Sequence, residues 1–252
     1  MVKREKMSKF VILDTETTGA GDEDRIIQLG FMVLGRPKDP VEVYNEFCSA
    51  PLDIKVEAME VHGITPAMIA GKPGCIETAA YQTLMDLNAQ DNYMIIHNAK
   101  FDLGMLEKEG FVNQMQVIDT LRCAKHLFPQ SKAHRLQYFR YEMELYKQEE
   151  AEAAKHNIVI KAHDAIGDVL VLKLFVSKLV EAVTQVYGKI DVMQKLVELT
   201  KTPVLIQTFN FGKHKGRLIA EVAREDAGYL AWMQKSMDLD EDMTYTLKQV
   251  LS

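Results

Sequence analysis

The chain has 252 residues, 47% of them hydrophobic and 26% charged, with a formal net charge of −6. Such a length buries a full core and houses one large domain, or one domain with an appendage, while the acidic balance excludes a general basic field for nucleic acid. No apolar run nears the ~20 residues that span a bilayer, and Cys48, Cys75 and Cys123 lack paired metal-ligand spacing.

The basic leader MVKREK precedes FVIL, which is too short for a signal-peptide core, and Met7 offers an alternative start. A reduced thiol set and no membrane segment make a cytoplasmic protein the expectation. The first predicted strand covers 10–16, followed by RIIQLGFMVLG at 25–35 and VEVYNEFC at 41–48. GAGDED and GRPKDP supply the turns, so three adjacent antiparallel strands are expected. Thr65 is placed to cap a helix opening at Pro66, IETAAYQTLMDLNA carries a helical stripe, and YMIIHNA at 93–99 reads as another buried strand. FDLGMLEKEG predicts a helix closing at Gly110, and QVIDT predicts a short strand. Helices are then expected in LRCAKHLF, in AHRLQYFRYEMELYKQEEAEAAKH as one piece, in DAIGDVLVLKLFVSKLVEAVTQVYG and in KIDVMQKLVELT. The charged stretch 145–160 reads as a solvated helix or insertion. These elements predict an α/β fold with a mixed sheet, antiparallel in its first three strands and flanked by helices. A boundary near residue 200 divides the chain into 1–200 and a small strand-loop-helix module at 201–252.

Polar residues gather where the apolar elements end. In FVILDTETTG, Asp14 and Glu16 stand two apart on a strand and point to one side. Two anions so placed repel, and burial raises the pKa of at least one; a hard divalent cation, magnesium or manganese, resolves the conflict. Asp102 opens the helix after the strand at 93–99, and His163 and Asp168 occupy AHDAIGD at the mouth of a long apolar helix, with Asp164 as its N-cap. Strand ends and helix starts on one rim of an α/β sheet are where ligands bind. Carboxylates there hold two hard cations, and a histidine takes a proton from an attacking water, a set suited to phosphodiester hydrolysis.

DTETTG, HNAKFD and HDAIGD resemble the motifs of the DnaQ-like DEDD exonucleases, in the histidine-bearing DEDDh branch, over residues 8 to 185. The family pattern maps onto Asp14, Glu16, Asp102, His163 and Asp168 without substitution. The resemblance implies a ribonuclease-H-like fold, two Mg2+ or Mn2+ ions on Asp14, Glu16, Asp102 and Asp168, and release of nucleoside monophosphates from 3′ ends, with His163 as the general base. EAMEVHGIT is similar to the family's nucleotide-contacting helix, which implies substrate roles for Glu57 and His62. Thr15 and Thr17 alternate with the ligands and are expected to meet the terminal nucleotide through backbone N–H groups. Asn98 and Phe101 flank the third carboxylate, Phe101 as a candidate stacking residue.

The tail NFGKHKGRLIAEV is similar to the small C-terminal module of exonuclease X-like proteins. Its glycine-bracketed Lys213 and Lys215, with Arg217, form a candidate phosphate-backbone contact, beside the plainer reading of a charged hairpin. The expectation is a freestanding 3′→5′ exodeoxyribonuclease acting on single-stranded DNA 3′ ends, with repair, replication and turnover all open as its setting. An exoribonuclease and a proofreading subunit are its rivals, so a polymerase or a second copy of the chain remains a candidate partner.

Overall fold

The computed structural model describes residues 7–36, 38–159 and 164–251. The first strands, β1 (Phe10–Thr17), β2 (Ile26–Leu34) and β3 (Glu42–Phe47), pair as an antiparallel meander. Helices α1 (Val56–His62), α2 (Pro66–Ile69) and α3 (Ala79–Leu87) carry the chain back, so that β4 (Tyr93–Ile96) lies parallel to β1. Helix α4 (Ala99–Lys108) leads to β5 (Gln116–Asp119), parallel to β4, giving one sheet in the order β3-β2-β1-β4-β5. Then follow α5 (Thr120–Leu127), α6 (Leu136–Glu142), α7 (Tyr146–His156), α8 (Ala165–Tyr187) and α9 (Val192–Lys201). No helix among the described residues is long and apolar enough to cross a membrane.

Strand periodicity decides which residue meets which layer. Val11 and Leu13 enter an apolar cluster with Ala80, Leu84, Met105 and Leu106 from α3 and α4. Ile12 joins the opposite cluster, with Phe139, Val169, Phe175 and Leu196 from α6, α8 and α9. Continued along β1, this alternation puts Asp14 and Glu16 on the α8 face and Thr15 on the α4 face.

Gly30 stands opposite Asp14 in the β1–β2 register. A Cβ at position 30 would lie 2.8 Å from Ala165 Cβ and 2.9 Å from the Ile166 nitrogen, so only glycine lets the start of α8 come down onto the sheet. Gln28, fully buried, donates to Asp164 Oδ1 at 2.7 Å and to Asn45 Oδ1 at 2.9 Å, tethering the same helix start. Asp164 is the N-cap residue by position, as the sequence predicts, yet its carboxylate accepts from Gln28 and makes no capping bond to the helix.

One expectation is corrected and one refined in the segment after α5. The single helix expected through AHRLQYFRYEMELYKQEEAEAAKH divides into α6 and α7 at Glu144, whose φ of 53° breaks the helical path without a glycine or proline. In the stretch 145–160 the outer side of α7 is exposed, as expected of a solvated helix, but its inner side carries buried acids: Glu149 is 3% exposed and accepts two bonds from Arg140, at 2.6 and 2.5 Å. Glu152, also buried, pairs with Lys173 of α8 and with Lys155. Buried carboxylates need such partners, and here α6 and α8 supply them.

Beyond Lys201 the chain builds a separate apolar cluster from Phe209, Ile219, Val222, Leu230, Met233, Met243 and Leu247. It belongs to α10 (Ile219–Glu225), α11 (Ala227–Ser236) and α12 (Glu241–Leu251). The strand expected at its start is reduced to one bridge, Thr208 with Leu218. Arg122 of α5 ties this cluster to the body, donating to the Thr200 and Thr202 carbonyls and pairing with Asp242 at 3.2 Å.

Candidate functional site

Asp14 and Glu16 of β1 and Asp168 of α8 bring one carboxylate oxygen each to within 4.8 Å of the others, all three half-buried. Strand β1 supplies the first two by its period of two, and the Gly30 gap admits the third. The electrostatics register the crowding. Burial, and then repulsion from Asp102, Asp168 and Glu16, raises the Asp14 carboxyl well above its ordinary range. Burial and Asp168 push Glu16 up to about 8. Three hard oxygen donors that resist ionising side by side fit a hard divalent cation, which restores the charge balance and keeps waters for its other positions.

Asp102 reaches the group from α4, on the Thr15 side of β1, close enough that its charge raises the Asp14 and Glu16 carboxyls. Its Oδ1 accepts from the Thr15 backbone N–H at 3.0 Å and from the Thr15 hydroxyl at 2.7 Å, and the residue is 3% exposed. Burial raises its carboxyl to about 7, against the lowering pull of those two bonds. Asp14, Glu16 and Asp168 stand together, and Asp102, held beside Thr15, adjoins them as the fourth acid of the expected set. Helix α4 itself packs on the side of Val11 and Leu13. His163 lies outside the described residues.

Among the expected substrate contacts, Thr15 has its N–H and hydroxyl engaged by Asp102, and the Thr17 hydroxyl donates to the Gly19 carbonyl at 2.7 Å. His62 ends α1 and is 3% exposed. Its Nδ1 accepts from the Ile64 N–H at 2.9 Å, and its Nε2 lies 3.2 Å from the Thr17 carbonyl, so the ring braces the end of β1. Glu57 is exposed in the first turn of α1. Asn98 is exposed at the start of α4 with a left-handed φ of 71°, and Phe101 is half-buried against the α4-side core. Lys213 pairs with Asp226 at 2.9 Å and Arg217 with Glu225 at 2.6 Å, whereas Lys215 is exposed.

Two residues are missing from the sequence reading. Gln137 of α6 donates to Asp168 Oδ1 at 2.5 Å and accepts from Arg140, which is itself held by Glu149. Asp119 accepts the N–H groups of Asn98 and Ala99 on one side and of Leu121 on the other, fixing the turn that presents Asp102. An acid closing a β-strand before a helix is a readable N-cap signal; Gln137 carries none, because 31 residues separate it from its partner.

Residues 11–175 match the exonuclease family (RNase_T). The chain belongs to that family. Residues 209–236 match the exodeoxyribonuclease X-like C-terminal family. Exodeoxyribonuclease 10 of Escherichia coli (strain K12) is 26% identical over 255 residues, covering 95% of this chain and 97% of that protein. The DNA polymerase III subunit epsilon of Buchnera aphidicola subsp. Schizaphis graminum is 29% identical over 139 residues, 49% of this chain and 58% of that protein. A solved structure titled exonuclease X in complex with 5′ overhanging duplex DNA shares the fold, with a TM-score of 0.55 at 19% identity, over 77% of this chain and 99% of that one. The mixed sheet and flanking helices are thus the ribonuclease-H-like exonuclease fold, and the family membership accounts for the acid cluster.

Proposed function

We propose that the protein is a 3′→5′ exodeoxyribonuclease that hydrolyses the terminal phosphodiester of unpaired DNA 3′ ends and releases nucleoside monophosphates. The observation that carries this reading is the three-acid group of Asp14, Glu16 and Asp168 in a chain of the exonuclease family. Its end-to-end likeness to exodeoxyribonuclease 10 supports DNA as the substrate and a freestanding enzyme as the form. The likeness to a polymerase III epsilon subunit keeps a proofreading partnership as the second reading.

Two ions, Mg2+ or Mn2+, when bound would offset charge on the scissile phosphate and on the departing 3′ oxygen. Asp14, Glu16, Asp102 and Asp168 would hold them, the Asp102 carboxylate being steadied by its bond from Thr15. Gln137 fixes the Asp168 carboxylate in one rotamer. His163, one residue before the Asp164 cap, takes the proton of the attacking water, while the bond from phosphorus to the 3′ oxygen breaks. Asn98, exposed at the rim, Phe101 and Glu57 are the candidate contacts to the terminal nucleotide. His62 serves by positioning the end of β1, and Lys215, exposed in the tail loop, is the candidate phosphate contact there. Free buried Cys48, Cys75 and Cys123 support a reducing, cytoplasmic setting.

Labelled single-stranded DNA and RNA of one sequence, at equal enzyme and Mn2+, test the reading. Stepwise shortening of the DNA from its 3′ end, faster than of the RNA, is expected. Faster RNA loss overturns the substrate assignment, and turnover appearing only with a co-purifying polymerase selects the proofreading reading.

A further inference from the structure

A groove of about 750 Å³ runs between residues 129–134, which precede α6, and residues 204–210, which open the C-terminal cluster. Lys125, Lys132 and His134 line it, and among the described residues no aspartate or glutamate does. In a chain of net charge −6 such a lining is unusual, and it differs from the tail loop, whose Lys213 and Arg217 are matched by Asp226 and Glu225. Leu205 and Leu218, 44% and 45% exposed, supply apolar surface on the opposite wall, beside Asn210.

The groove leads to the acid cluster through one short segment. His134 lies in the groove wall and its carbonyl meets His97 Nε2 at 2.9 Å, one residue from Asn98 on the catalytic rim. Gln137, three residues further on, bonds Asp168. Three residues reach at most ~10 Å even when extended, so the end of the groove and the cluster are neighbours.

We propose that this groove carries the unpaired DNA strand leading to the acid cluster, with Lys125 and Lys132 on its phosphates and Leu205 and Leu218 against its bases. The inference rests on the exodeoxyribonuclease reading and adds the path of the strand, which the C-terminal cluster completes as a second wall. Phosphate contacts from lysine and sequence-tolerant apolar contact with bases are the means by which single strands are held without sequence choice.

The test is binding of oligothymidylates of increasing length to the full chain, in Ca2+ and at several salt concentrations. For the natural protein, affinity should rise from a dinucleotide to a decanucleotide. In Lys125→Ala/Lys132→Ala that rise should shrink at least fivefold, and the slope of log K against log salt should fall by about 1.4, roughly 0.7 per lost phosphate contact. The Lys125→Arg/Lys132→Arg variant should restore both. Unchanged length dependence and salt slope in the alanine variant overturn the proposal. So does an equal loss for dinucleotide and decanucleotide, which would place the effect at the cluster. Absence of hydrolysis by the natural protein in Mn2+ would instead sink the exodeoxyribonuclease reading, while length-dependent binding still decides the groove.

Discussion

Two sets of carboxylates in this chain show opposite electrostatics. In the C-terminal cluster, Asp226 accepts from Lys213 and His214, and those partners draw its carboxyl down to about 2. At the sheet rim, Asp14, Glu16 and Asp168 face one another and the carboxyls of Asp14 and Glu16 are held up. The first arrangement favours the charged form locally and serves the fold. The second disfavours the charged forms of Asp14 and Glu16, and the fold of β1, β2 and α8 holds it in place regardless. A folded chain that tolerates such crowding at one point, and neutralises its acids elsewhere, marks that point as the place of chemistry.

The sharpest way to break the contrast is to remove one member of the crowded set. Asp14→Asn should lower turnover on single-stranded DNA by ~10³-fold, because the cluster loses a charged ligand whose electrostatic contribution to catalysis is several kcal/mol. The same variant should melt no lower than the natural protein when both are free of metal at pH 8. A melting temperature well below the natural one would show that Asp14 supports the fold and not a cation.

The paired acids predict the reverse. Glu149→Ala leaves Arg140 enclosed without its bidentate partner and should destabilise the protein by ~3–5 kcal/mol in a denaturant titration. Because Arg140 also bonds Gln137, turnover should fall at temperatures where the variant is still folded. An unchanged denaturation midpoint would show that the Glu149–Arg140 pair does not hold α7 to the body.

The smallest effect is a pH dependence, and its sign follows from proton counting. Glu16 titrates at about 8 when folded against an ordinary 4.5, so the metal-free native state keeps a proton that the unfolded chain has released. Stability therefore falls as pH rises from about 4.5 towards 8. Asp102, at about 7, acts in the same direction. Melting temperature in a chelator should be lower at pH 8 than at pH 6, and Mn2+ should raise it more at pH 8. Equal metal-induced shifts at both pH values would contradict a shared site.

Much of this was legible in the residues. The three antiparallel strands, the helix ends at Gly110 and Gly188 and the acids at positions 14, 16 and 168 announce themselves through apolar runs, turn residues and local spacing. The rest depends on partners far along the chain. Glu149 and Glu152 look solvated until Arg140 and Lys173 arrive from other helices. The break at Glu144 has no glycine to signal it. The direction from which Asp102 reaches the group is hidden too, because sequence order does not say on which face of the sheet α4 packs. The basic groove joins segments that are some 70 residues apart and separately unremarkable.

Gly30 carries a lesson for anyone moving this centre to another scaffold. An inventory of functional groups would copy the acids, the glutamine and the histidine and omit a residue with no side chain at all. Yet the close approach at position 30 is what sets the height of α8 above the sheet. A graft that reproduces every donor atom but fills that space would hold its third acid too far out to share an ion.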